Sequence, residues 1–325
     1  MTAEPEVGFD ARAWAAEQLR GFYMCPLTPF TEDFQLDEAG LGENIEAFVE
    51  MGCDGLVVGG FFAEGWNMTL AEWRRYHEVV AEAAAGRVPL FTIILENSAY
   101  QAVEKMRFVE ALGFVGAEIM NPSVQFKTDE GVVAYFDFVA AATDLAIVLY
   151  RTPVSGYVYG HDAVLRIAEH PNVVGVKNGT LSWTDSIALR RSIGDRLIVS
   201  EPNERYWAHD IAFFDGRLLY GELSLLLYGK RRDELRRYTD LAFGGRADEA
   251  LALSARLDPV REVYEDILIG RIAATGSYLA AMPYLKAWFE LLGLHAGCLR
   301  PPLQARLAPA EREDLAGRLS AAGVL

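Results

Sequence analysis

Cysteine is scarce: Cys25, Cys53 and Cys298 are far apart, odd in number, and form no pair at metal-ligand or redox spacing. Such a set excludes a disulfide framework and leaves reduced thiols in or near a core, as in a cytosolic protein. Histidine offers no more. His77, His161, His170, His209 and His295 are scattered, with no His-x-x-x-His or His/carboxylate cluster, so no metal or other cofactor is implied. Positive charge is in deficit, with 30 Lys and Arg against 46 Asp and Glu and a net charge of −16. This argues against a nucleic-acid partner and against anionic membrane surfaces. No unbroken apolar stretch reaches membrane-spanning length. The start, MTAEPEVGFDARAWAAEQLRG, is acidic and then amphipathic, without the basic segment and apolar core of a secretory leader. A cytoplasmic setting is therefore expected. Also missing is a Gly-x-Gly-x-x-Gly turn after the first apolar run, where PLTPFTEDF stands instead. That speaks against a doubly wound dinucleotide-binding sheet.

What is present is alternation. Eight short apolar runs, at 21–30, 55–60, 88–95, 116–121, 145–150, 173–177, 196–200 and 216–221, recur between segments with apolar residues three and four apart. LDEAGLGENIEAFVEMG, TLAEWRRYHEVVAEAAAG and SAYQAVEKMRFVEALG are such segments, each an amphipathic helix by its period. Runs of continuous apolarity suit a parallel sheet covered on both faces. Eight strand–helix units in series predict a closed (β/α)8 TIM barrel, for which about 250 residues suffice. Beyond Tyr228 the pattern is helical only. The expected organisation is an N-terminal extension over 1–20, a barrel over 21–227 and a C-terminal helical region over 228–325.

Reacting groups of such a barrel sit where strands end at their C-termini. One lysine stands there, in PNVVGVKNGT: Lys177, after Val-Val-Gly-Val. A lysine at a strand tip can simply reach water. Enclosed by apolar groups instead, its ammonium is expected to lose its proton more readily, and a neutral amine attacks carbonyl carbon to form a Schiff base. One strand earlier Tyr150 offers a phenol for proton transfer, the alternative being an aromatic packed at the barrel rim.

GFYMCPLTPF, GGFFAEGWNMTLAEW, LYRTPVSG, GVKNGT and YLKAWFELLGLHAGCLRPPL, in this order and spacing, resemble the dihydrodipicolinate synthase and N-acetylneuraminate lyase family from about Gly21 to Leu307. The resemblance implies a barrel with a C-terminal helical region, a homo-oligomer (dimer or tetramer), and class I aldolase chemistry on a small-molecule carbonyl substrate. It assigns the Schiff base to Lys177 and the proton relay to Tyr150. The departures are equally specific. Where the family has Gly-Thr-Thr-Gly-Glu, this chain has Gly60-Phe61-Phe62-Ala63-Glu64, and Ser123 and Val124 stand where many synthases have a second tyrosine. Two hydroxyls give way to two rings, which points to a larger or more apolar carbonyl than pyruvate.

Further candidates for substrate contact are Phe61, Phe62, Glu64, Glu96, Asn97, Arg151, Asn178 and Glu201. Glu64 could instead accept backbone N–H groups, Glu96 could be a helix-start carboxylate favoured by the dipole, and Arg151 points a residue out of phase with Tyr150. The reading is a lyase that makes or breaks a C–C bond, or dehydrates, through an enamine on Lys177. Two alternatives stay open: a family member that binds a small molecule without catalysis, and an enzyme in which Lys177 acts electrostatically.

Overall fold

The computed structural model describes residues 9–325. Its eight strands are β1 (Gly21–Met24), β2 (Gly55–Val58), β3 (Leu90–Ile94), β4 (Gly116–Met120), β5 (Ala146–Arg151), β6 (Val173–Asn178), β7 (Ile198–Ser200) and β8 (Leu218–Glu222). They lie parallel in the order β7-β6-β5-β4-β3-β2-β1-β8. The Tyr220 amide donates to Ser200 Oγ at 3.1 Å across the remaining gap between β7 and β8. The result is a nearly closed (β/α)8 barrel with helices between the strands and a helical extension after β8.

The strands form where apolar runs are buried on both faces, and nearly every strand position is buried. Inside the barrel Tyr23, Phe91 and Tyr220 pack with centroids 5.7–5.9 Å apart. Room for these rings comes from strand glycines. A Cβ at Gly55 would lie 2.3 Å from Tyr23, and one at Gly116 would lie 2.1 Å from Phe91. The intervening helices start where side chains accept their first amides: Asp37, Thr69, Ser98, Thr128 and Ser182 each do so.

Two local expectations change. The 21–30 run is strand only to Met24, because Pro26 and Pro29 cannot donate to a sheet ladder. Beyond Tyr228, where helix alone is expected, the chain from 247 to 269 is broken into Ala247–Ser254, a 3-10 turn, Asp258–Tyr264 with Pro259 in its first turn, and a π-helical turn Glu265–Ile269. A proline tolerated only near a helix start explains the first break.

The helical extension is fastened to the barrel by a buried ion pair. Arg261 donates to both oxygens of Glu204, at 2.8 and 2.7 Å, just beyond β7. Tyr228 and Tyr238 complete the shell of donors around that carboxylate. Burial would raise the Glu204 pKa, but Arg261 together with the hydroxyls of Tyr238 and Tyr228 outweighs it and holds the group below the usual carboxylate range.

Candidate active site

Parallel pairing sets Tyr150 opposite Lys177 and Arg151 opposite Asn178. Side chains of a strand alternate in direction, so the first pair turns one way and the second the other. Lys177, only 5% exposed, donates to the Gly221 carbonyl at 2.7 Å. Its Nζ lies 4.4 Å from the centre of the Tyr150 ring. Gly221 has φ +68°, and a Cβ there would lie 2.5 Å from Lys177 Nζ, so glycine lets the lysine lie against the end of β8.

Above this group opens a cavity of about 220 Å³. Its lining combines Lys177, Tyr150 and Tyr278 with the carboxylates Glu201, Glu222 and Glu265 and the apolar Phe62, Leu268 and Ile272. The π-helical turn Glu265–Ile269 forms part of the wall, and such turns are frequent at functional sites. Glu265 is already paired with Arg205 at 2.5 Å. Glu201 accepts from Ser186 Oγ at 2.6 Å and the Asn203 amide at 3.1 Å, and burial pushes it up to about 7. Glu222 accepts from Ser224 Oγ at 2.6 Å and from two amides, and burial pushes it also to about 7.

Two residues at the centre escaped the sequence reading. Tyr278, from the helical extension, places its hydroxyl 2.7 Å from that of Tyr150. Its ring stacks on Phe61 at 4.9 Å and meets Phe62 edge-on at 5.1 Å. Glu118, wholly buried on β4, lies with Oε1 3.5 Å from Lys177 Nζ. Among the described residues neither of its oxygens has a hydrogen-bond partner. A glutamate inside the apolar run GAEIMN was a legible signal, whereas nothing in GSYLAAM marks Tyr278.

Glu118 corrects one expectation. Burial, the largest single effect, does press the Lys177 ammonium down, but Glu118, with smaller contributions from Tyr278 and Cys25, outweighs it in sum, and the lysine is held above its usual range rather than below it. Burial raises Glu118 in turn, against the pull of Lys177. Burial likewise raises the phenols of Tyr150 and Tyr278.

Of the sequence candidates, Lys177, Tyr150, Phe62 and Glu201 line the cavity, and Phe61 reaches it through Tyr278. The others face elsewhere. Glu64, at left-handed φ +54°, pairs with buried Lys286 at 3.0 Å and accepts the Arg300 amide at 3.1 Å. Glu96 pairs with Lys105. Asn97 accepts from Ser123 Oγ and the Val124 amide, both at 3.1 Å. Arg151 donates to Asn178 at 2.8 Å and Asp185 at 2.6 Å, so both Arg151 and Asn178 serve a polar network behind the strands. None of these five is a cavity residue in this conformation. Among the described residues no group of His, Cys, Asp and Glu is arranged to hold a metal ion, and no helix is long and apolar enough to cross a membrane.

Fold and site together describe a (β/α)8 barrel with a lysine at the end of its sixth strand. The Dihydrodipicolinate synthetase family profile matches residues 18–213, and the chain belongs to that family. A 4-hydroxy-tetrahydrodipicolinate synthase of Gluconacetobacter diazotrophicus is 31% identical over 54% of this chain; the match spans only 59% of that relative. The synthase of Mycolicibacterium paratuberculosis is 28% identical over 98% of this chain and 99% of its own. An N-acetylneuraminate lyase of Rhizobium meliloti is 26% identical, covering 92% and 93%. In fold, the chain is similar to the dihydrodipicolinate synthase structures from Aquifex aeolicus, with a TM-score of 0.81 at 21% identity over 94% of this chain and 98% of that one, and Thermotoga maritima, with 0.80 at 21% over 95% and 100%.

Proposed function

We propose that this protein is a class I lyase that forms an imine between Lys177 and a small carbonyl compound, then makes or breaks a C–C bond, or expels water, through the enamine. The observation that carries this reading is the enclosure of the Lys177 amine beside the Tyr150 phenol at the floor of the cavity. Nucleophilic addition needs a proton delivered to the carbonyl oxygen and later removed from carbon, and Tyr150 is the phenol within reach. Tyr278, hydrogen-bonded to it, replenishes that proton.

The substrate class follows from the lining. Among the described residues Lys177 is the one cationic side chain in the cavity lining, which also carries Glu201, Glu222 and the Arg205-paired Glu265. A dicarboxylate would meet like charge without an arginine to answer it. A neutral carbonyl compound with an apolar body suits Phe62, Leu268 and Ile272 better. Assembly into a dimer or tetramer remains part of the proposal, supported by family membership.

The test is borohydride reduction in the presence of a panel of keto acids and aldehydes, followed by mass spectrometry of the peptide that holds Lys177. An adduct on Lys177 with an apolar aldehyde or ketone is expected. If no carbonyl compound labels it, and Lys177→Arg retains turnover of a substrate found by screening, the imine route is wrong.

A further inference from the structure

We infer that Glu118, the carboxylate enclosed beside Lys177 inside the barrel, is the counter-charge of the resting Lys177 ammonium and of the iminium that replaces it, and holds the proton of Lys177 while the amine adds to the carbonyl. This rests on the imine reading above. The geometry behind it is unusual for a structural residue. Glu118 is wholly buried, and among the described residues its oxygens have no hydrogen-bond partner and its one ionic neighbour is the lysine at 3.5 Å. A buried carboxylate without compensating donors is costly, so a merely structural role would be served better by an apolar residue of similar volume.

The groups facing the pair come from several elements: Tyr150 on β5, Tyr220 on β8, Cys25 just after β1, and Tyr278 from the helical extension. Burial raises all four, the thiol to about 12, so each is neutral near pH 7 and no other cation competes for Glu118. Ammonium plus carboxylate and amine plus carboxylic acid carry the same net charge, so moving one proton between them alters no net charge inside the barrel.

The steps balance. Lys177 –NH3⁺ gives one proton to Glu118 –COO⁻, leaving –NH2 and –COOH. The nitrogen lone pair bonds to the carbonyl carbon, and the C=O π electrons move to oxygen, which takes the Tyr150 proton. The cationic nitrogen returns a proton to the Tyr150 phenolate, giving a neutral carbinolamine. The C–O bond then breaks, the hydroxyl leaving as water with the proton Glu118 had held. An iminium now faces a carboxylate, as the ammonium did before.

Two labelling reactions on the full chain test this, because Glu118→Gln should move them in opposite directions. Acetic anhydride reports the neutral amine. At pH 7.5 its rate on Lys177 should rise about tenfold or more in E118Q, since the main opposition to burial is then removed and each pKa unit is a factor of ten. Benzaldehyde with cyanoborohydride reports the iminium, and the Lys177 adduct should fall about tenfold in E118Q through loss of its counter-charge, with Glu118→Asp restoring it. Unchanged rates in both reactions overturn the inference. A wild-type protein that gives no adduct with any carbonyl, while E118Q still speeds acetylation, removes the imine reading and leaves the charge pairing standing. Should E118Q fold poorly, Lys177→Met supplies the second measurement. Its lone buried carboxylate should make the Tm fall with rising pH more steeply than in K177M/E118Q, and equal slopes overturn the inference.

Discussion

The hydroxyl of Tyr278 lies 2.7 Å from that of Tyr150, which joins a side chain of the C-terminal extension to the end of β5. Two hydrogen-bonded phenols share a proton in a way that one cannot, because the second stabilises the phenolate of the first. Tyr278→Phe keeps the ring against Phe61 and removes the hydroxyl. Borohydride labelling of Lys177 should persist, while exchange of substrate α-hydrogens with D2O, followed by NMR, should slow by about 10²–10⁴, the usual worth of a placed acid–base group. Unchanged exchange would remove Tyr278 from the relay.

Phe61 and Phe62 form the cradle for that phenol. Phe61→Ala should cost about 0.5–1.5 kcal/mol for the lost stack beyond its buried area, and should slow exchange less than Tyr278→Phe does. Phe62→Thr restores a hydroxyl at the loop after β2. If the ring excludes a keto-acid carboxylate, pyruvate labelling of Lys177 should improve; labelling equal to wild type rules that exclusion out.

Gly221→Ala places a methyl group 2.5 Å from the resting position of Lys177 Nζ and asks alanine for φ +68°. Left-handed backbone is unfavourable for a residue with a Cβ, by about 1 kcal/mol. Labelling of Lys177 should fall sharply while the circular dichroism spectrum is retained. Wild-type labelling kinetics would show that the lysine does not need this approach.

The pH dependence of stability has a definite sign at Glu201. Its folded-state pKa is raised to about 7 from 4.5, so the unfolded chain releases its proton first. The contribution is fully present below about pH 4.5 and is lost as pH rises through 7. Glu201→Gln cannot titrate. Its stability relative to wild type, from urea unfolding, should therefore improve by about 2–3 kcal/mol between pH 4.5 and 8. A difference that stays flat would place the true pKa in the ordinary range.

Arg261→Met strands the Glu204 carboxylate among buried groups. Removing one partner of a buried ion pair costs about 3–5 kcal/mol, whereas replacing both with apolar groups costs far less. Arg261→Met should lower Tm markedly, and R261M/E204M should recover most of the loss. Because this pair anchors the extension that carries Tyr278, the single variant should also slow exchange. An exchange rate unmoved by the loss of Tm would separate anchoring from the relay.

The eight apolar runs and their helical intervals were sufficient to specify the barrel, because strands of a parallel sheet are covered on both faces and must be apolar throughout. Lys177 and Tyr150 were legible for the same reason: a polar residue ending an apolar strand is marked by contrast, and register sets the two side by side. Glu118 bore that mark too, in mid-strand, but its meaning depends on a lysine 59 positions later, two strands across. Glu64, Glu96 and Arg151 carry suitable chemistry at strand ends, but which partners they meet was not legible, because the cations and carboxylate that pair with them, Lys286, Lys105 and Asp185, come from other elements.

By itself, then, the sequence determined the barrel and the position of a lysine at the end of its sixth strand, since both follow from local periodicity and strand order. The tertiary structure alone decided how that amine is charged and which phenol completes the site. Glu118 opposes the effect of burial on Lys177, and Tyr278 arrives from a helical extension that a buried ion pair joins to the barrel. Both effects act between residues distant in the chain, over a few ångströms of low-dielectric interior, where neither pattern nor propensity reaches.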